Sequence, residues 1–170
     1  KQRYPFILIL DEAHGTGVFG KTGAGLAEEM QVQDQVDIII GTLGKSLASM
    51  GAYVLSNSST IIDYLVNHAG EFIYSTFLSP SQVGSAEAAM KILQSSQDER
   101  EYLQSISKTF RKIANQKKQE VNTFLSPIIP VFIDNPAKVL EAKDSLLQEG
   151  IIVGAVRPPT VPNNTSRLRI

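Results

Sequence analysis

The sequence predicts an α/β fold: a mostly parallel sheet with long connecting helices over residues 1–123, then a small α/β domain over 124–170. Two observations carry this prediction. The apolar runs Phe6-Ile7-Leu8-Ile9-Leu10 and Ile38-Ile39-Ile40 are too short for helices, have the character of strands covered on both faces, and end abruptly in polar residues. Helix-spaced stretches follow them, and from Ser126 onward the order becomes strand, helix, strand. Ligands of open α/β sheets lie outside the carboxyl ends of parallel strands. The polar ends, Asp11-Glu12-Ala13-His14 and Gly41-Thr42-Leu43-Gly44-Lys45-Ser46, are therefore expected to share one pocket.

In chain order, residues 6–10 form the first strand and 14–25 a glycine-rich loop. Its small residues let backbone and substrate approach closely, although a plain surface turn explains the composition equally well. Residues 37–40 and 51–55 read as short buried strands in parallel order, bracketing the Lys45 turn. Apolar residues at 61, 62, 65 and 66 give helical spacing, with Ser59 or Thr60 as cap and His68 in a structural or surface role. By residue type Tyr74-Ser75-Thr76 is a strand-end turn, and Ser79-Pro80 supplies an N-cap and first-turn proline for a helix to about residue 97. A second long helix spans 98–121, acidic at its start and lysine-rich at its end, which suits the helix dipole. The cationic stretch 111–118 reads as a solvated helix face rather than a nucleic-acid patch. Beyond Ser126-Pro127 come a strand at 128–133, a helix at 136–148 stopped by Gly150, and a strand at 151–156. Residues 157–162 are extended, and 167–170 alternate as an edge strand does.

At 170 residues and 42% hydrophobic the chain can bury a core. The absence of cysteine excludes disulfides and thiolate metal sites, leaves two histidines as the only nitrogen ligands, and fits a reducing, cytoplasmic setting. Sixteen basic against seventeen acidic residues give no pull toward nucleic acid or anionic membranes. No apolar run is long enough to span a bilayer.

Two cofactor classes suit the strand ends. A nucleoside triphosphatase would use an acidic strand end for Mg²⁺ and Gly-Lys-Ser for phosphate, but G-x-x-x-x-G-K-[ST] requires glycine where Ile39 stands. In that class the phosphate loop also precedes the acidic strand, and here it follows. Pyridoxal 5'-phosphate (PLP) needs a lysine for a Schiff base and an acid to keep the pyridine nitrogen protonated, tasks that suit Lys45 and Asp11. His14 is spaced to turn toward the cofactor's phenolic oxygen, and Thr42 to offer its hydroxyl to the phosphate.

The strings from Asp11 to Gly20, Thr42-Leu-Gly-Lys45, Tyr74-Ser75-Thr76, Val156 to Pro162 and Thr165-Ser-Arg167-Leu-Arg169 run in order over nearly the whole chain. Together they resemble the α-oxoamine synthases, fold type I enzymes of the class I/II aminotransferase group. The resemblance implies PLP as cofactor, a large PLP-binding domain with a small C-terminal domain, and condensation of an amino acid with an acyl thioester with loss of CO₂. It implies Lys45, His14 and Asp11 as catalytic residues, Thr42 as a phosphate ligand, and Ser75 and Thr76 as hydroxyls reaching the phosphate in a partner subunit. That makes the expected assembly a homodimer with composite active sites. Arg167 is the implied grip on a substrate carboxylate, since a guanidinium offers two coplanar donors; by residue type alone it is a surface arginine. Asn164 replaces a glycine usual in the family, and because asparagine tolerates left-handed backbone the turn is expected to survive. The resemblance also makes the chain read as the C-terminal half of such an enzyme, opening inside a strand at Lys1, so that alone it is expected to be inactive. It leaves the acyl chain open, and it leaves open a chain that serves only as a structural or binding piece.

Overall fold

The computed structural model describes residues 3–119, 121–124 and 126–170. Lys1 and Gln2, at the expected strand opening, lie outside the described residues, as do Glu120 and Leu125 in the connection 119–126. The chain forms two compact units, Lys1–Arg100 and Glu101–Ile170.

In the first unit, β1 (Ile9–Asp11) pairs in parallel with β2 (Ile38–Thr42), and β2 pairs antiparallel with β3 (Ala52–Leu55). Parallel order therefore holds for the first pair and fails for β3. Only residues 43–51 separate β2 from β3, whereas a parallel crossover takes about a dozen or more. The strands are also less buried than their composition suggests. Ile9 is 56% and Leu55 53% exposed, because no described element covers them.

Between β1 and β2 run the glycine-rich loop, the short helix α1 (Leu26–Glu29) and a 3-10 turn at Gln33–Gln35. After β3, α2 (Ser59–His68) takes its cap one residue earlier than expected: Ser58 Oγ accepts the Ile61 N–H. His68 stacks on Tyr64 at 4.5 Å between ring centroids, a structural contact as anticipated. The single turn α3 (Gly70–Ile73) follows, and then α4 (Pro80–Ser95), which opens with a complete capping box. Ser79 Oγ accepts the Gln82 N–H, Gln82 Oε1 accepts the Ser79 N–H, and Pro80 occupies the first turn, where no N–H is needed. Helix α5 (Gln97–Gln116) ends earlier than the lysine-rich tail suggests.

The second unit is an antiparallel sheet in the order β4 (Pro130–Asp134), β6 (Ser166–Arg169), β5 (Gly154–Val156), with α6 (Pro136–Gln148) packed against it. Asn135 caps α6 by accepting the N–H groups of Ala137 and Lys138, and Gly150 stops the chain beyond it with a left-handed φ of 78°. The expected edge strand is the central one. Ser166 and Leu168 turn inward onto a core of Val131 and Val139, so the charged and apolar alternation marks two faces rather than an edge. Asn164 takes the left-handed conformation, φ 60°, as its substitution for glycine predicts. Arg111 departs from the solvated-face reading: it is buried, and its guanidinium donates to the carbonyls of Ser107, Asn122 and Ser126 and to Asn122 Oδ1. No helix among the described residues is long and apolar enough to cross a membrane.

Candidate active site

Parallel pairing of β1 with β2 delivers both polar strand ends to the same edge of the sheet. Asp11 pairs with Ile40, and the ladder runs one step further, the Glu12 N–H donating to the Ile40 carbonyl at 2.7 Å. Thr42 then ends β2 on the same side.

Asp11 is exposed, and Oδ1 accepts the Ala13 N–H at 2.8 Å. His14, also exposed, lies in the turn that follows. Thr42 Oγ1 donates to the Gly51 carbonyl at 3.1 Å and accepts the Gly44 N–H at 3.2 Å. Lys45 sits in a turn closed by three backbone bonds: Leu43 N–H to the Gly51 carbonyl, Ser49 N–H to the Leu43 carbonyl, and Ala48 N–H to the Lys45 carbonyl. Its side chain is exposed and makes no hydrogen bond or ion pair with a described residue. The two loops are joined directly. Ser46 Oγ donates to the Thr16 carbonyl at 2.8 Å, and the Tyr53 hydroxyl and Thr16 Oγ1 lie 3.0 Å apart. Asp11, His14, Thr42 and Lys45 thus gather at one sheet edge.

Ser75 and Thr76 lie after α3 in the segment leading to α4, not at a strand end. Both are exposed, and neither hydroxyl bonds to a described residue. The start of α4 does pack on the lysine turn, Ser49 Oγ donating to the Gln82 carbonyl at 2.7 Å. Arg167 belongs to the second unit, on β6. Its guanidinium lies over the Phe132 ring, 4.7 Å from the centroid, and Nε donates to the Thr165 carbonyl at 2.8 Å, which leaves its terminal nitrogens unbonded among the described residues.

Charged residues that the sequence left without a role hold the glycine-rich loop, among them Glu12, Glu28 and Arg100. Glu12, 2% exposed, lies beneath it, Oε1 accepting the Ala27 N–H at 2.8 Å. Alternation along β1 turns Glu12 to the face opposite Asp11, a signal the sequence contained. Glu28 accepts the N–H groups of Thr22 and Ala24 and the Thr22 hydroxyl. Its burial would raise the carboxyl pKa, but those bonds and the nearby Arg100 charge outweigh it and hold the pKa below 4.5. Arg100 is buried and donates to the carbonyls of Lys21 and Leu93, both at 2.6 Å.

An exposed amine without a partner among the described residues, a carboxylate with one oxygen engaged, an imidazole and a hydroxyl on one edge form a donor set that fits an aldehyde cofactor bearing a basic ring nitrogen and a phosphate.

The family model described as aminotransferase class I and II matches residues 1–170. The chain is 40% identical to an 8-amino-7-oxononanoate synthase of Cellvibrio japonicus over 164 residues, 96% of this chain and 41% of that protein. A solved 8-amino-7-oxononanoate synthase of Francisella tularensis is 33% identical, with a TM-score of 0.85 over 96% of this chain and 48% of that one. A serine palmitoyltransferase of S. paucimobilis, solved with a bound PLP–myriocin aldimine, is 26% identical with a TM-score of 0.91, covering 99% of this chain and 42% of that one. The chain spans less than half the length of these relatives.

Proposed function

The chain belongs to the class I and II aminotransferase family, and from that membership we propose that the protein is a PLP-dependent acyltransferase of the 8-amino-7-oxononanoate synthase kind. In this reading it condenses L-alanine with pimeloyl-CoA, or its carrier-protein equivalent, releasing CO₂ in biotin biosynthesis. The observation that supports it most is the delivery of Asp11, His14, Thr42 and Lys45 to one sheet edge. The strings His14-Gly-Thr-Gly and Arg157-Pro-Pro-Thr-Val-Pro162 resemble this synthase more than other α-oxoamine synthases. Serine palmitoyltransferases superpose more closely, at 0.91 against 0.85, but share fewer residues, 26% against 33%. Backbone similarity follows the fold and residue identity follows the site, so the other members of the group, which condense glycine or serine, stand second.

When bound, PLP supplies an electron sink for negative charge at the substrate α-carbon. Lys45 Nζ would hold the cofactor aldehyde, and its amine is the base that would take the α-proton. The Asp11 carboxylate keeps a proton on the pyridine nitrogen. His14 orients the phenolic oxygen and steadies charge on the thioester carbonyl. Thr42 offers Oγ1 to the phosphate, and in a homodimer Ser75 and Thr76 reach the phosphate of the second copy. Arg167 grips the substrate carboxylate through its terminal nitrogens, Nε and the ring contact fixing its plane. A cytoplasmic setting goes with this reading.

Borohydride reduction of the full-length protein with PLP, followed by peptide mapping, tests it. A phosphopyridoxyl group on Lys45 is the expected result, with 8-amino-7-oxononanoate formed from alanine and pimeloyl-CoA. An unmodified Lys45 in folded protein overturns the cofactor, and turnover only with glycine or serine overturns the substrate.

A further inference from the structure

Thr16 is held at three points. Its N–H donates to the Glu12 carbonyl at 2.9 Å, its carbonyl accepts Ser46 Oγ at 2.8 Å, and its Oγ1 meets the Tyr53 hydroxyl at 3.0 Å. The three partners are the residue after β1, the residue after Lys45, and a residue of β3. Thr16 itself stands two residues beyond His14. The hold ties the histidine loop to the lysine turn without involving either functional side chain.

Two glycines leave room for this hold, Gly17 where the loop meets the lysine turn and Gly41 where β2 passes beneath the Tyr53 ring. A Cβ on Gly17 would stand 2.6 Å from Ser46 Cβ, and a Cβ on Gly41 would run into the Tyr53 ring. The close approach therefore depends on bare backbone at Gly17 and Gly41 and on a matching side chain opposite each. The Ser46 hydroxyl donates to protein backbone.

We propose that Ser46 and Tyr53 are positioning residues that fix the His14 loop against the Lys45 turn through Thr16. The roles of His14 and Lys45 rest on the function proposed above; the coupling of the two loops rests on the hydrogen bonds alone. Two bonds converging on one residue restrict the loop in two directions, which a single bond would leave able to pivot. Reacting groups misplaced by about 1 Å lose on the order of a hundredfold in rate, so a tie of this kind acts on turnover more than on binding.

The test uses Ser46→Ala, Tyr53→Phe, their double variant and Ser46→Thr in the full-length protein. In cofactor-free protein, the amides of residues 14–18 should exchange about fivefold faster in each deletion, the effect of one lost hydrogen bond, and near parental rate in Ser46→Thr. With PLP bound, the deletions should lower kcat with little change in KM for alanine and move the pH midpoint of the visible absorbance. Ser56→Ala, which removes a comparable bond to the Asp37 carbonyl, should leave all three readouts unchanged. Unchanged exchange at 14–18 in the double variant would overturn the proposal. Failure of Lys45 to trap PLP would count against the functional reading only, since the exchange measurement needs no cofactor.

Discussion

Glu12 and Ala27 form a hydrogen bond in the interior of the first unit, Oε1 accepting the Ala27 N–H at 2.8 Å. A carboxylate is thereby spent on the free N–H of a one-turn helix, directly beneath the loop that follows β1. Glu12→Ala should destabilise the protein by about 2–4 kcal/mol, because it orphans a buried N–H and leaves a void. Glu12→Gln keeps the acceptor and should lose about half as much. Urea unfolding of the two variants decides it, and equal losses would remove the hydrogen bond from the account.

Glu28 gives the loop a pH dependence with a definite sign. Its folded pKa lies below 4.5, so the stability it contributes is fully present above 4.5 and is lost as pH falls through the folded value. The stability difference between the parent and Glu28→Gln should therefore be constant from pH 7 to about 5 and shrink below 4.5. Urea midpoints across that range test it; a difference independent of pH would mean the Thr22 and Ala24 bonds do not favour the charged form.

Ala48 occupies left-handed backbone, φ 47°, in the lysine turn. Relief of about 1 kcal/mol of strain by glycine, offset by about 0.5 kcal/mol of added freedom in the unfolded chain, predicts a net gain near 0.5 kcal/mol for Ala48→Gly. Thermal unfolding would register it as a rise of a few degrees at most.

Arg111 organises the chain between α5 and β4 with hydrogen bonds to three carbonyls and one side-chain oxygen. Burial lowers its guanidinium pKa, and carbonyl dipoles rather than a carboxylate face it in those bonds. Arg111→Met should cost about 1–3 kcal/mol by freeing the Asn122 and Ser126 carbonyls, with faster amide exchange around them. Unchanged exchange there would show that the connection holds itself.

Asp11→Asn tests the proposed acid at the ring nitrogen. An amide cannot stay anionic against a pyridinium, so turnover should fall at least about a hundredfold while stability changes by less than about 0.5 kcal/mol, the side chain being exposed. Steady-state rates together with a melting curve separate the two.

What the sequence alone determined is local. Helix α6 appears at Pro136–Gln148 as predicted, and α4 opens on Ser79 and Pro80, because caps, first-turn prolines and glycine stops act on their immediate neighbours. Asn164 adopts the backbone its chemistry allows. The placing of Asp11, His14, Thr42 and Lys45 at one edge was also legible, since a polar residue at the end of an apolar strand has only the strand's end to occupy. Tertiary structure decided the rest. The antiparallel return of β3, the central place of β6, the burial of Glu12 and Arg100, and the double tie from Ser46 and Tyr53 to Thr16 all depend on partners far along the chain. A strand's neighbours and a charge's burial are properties of which distant segments meet, and local residue patterns leave that choice to the packing of the whole.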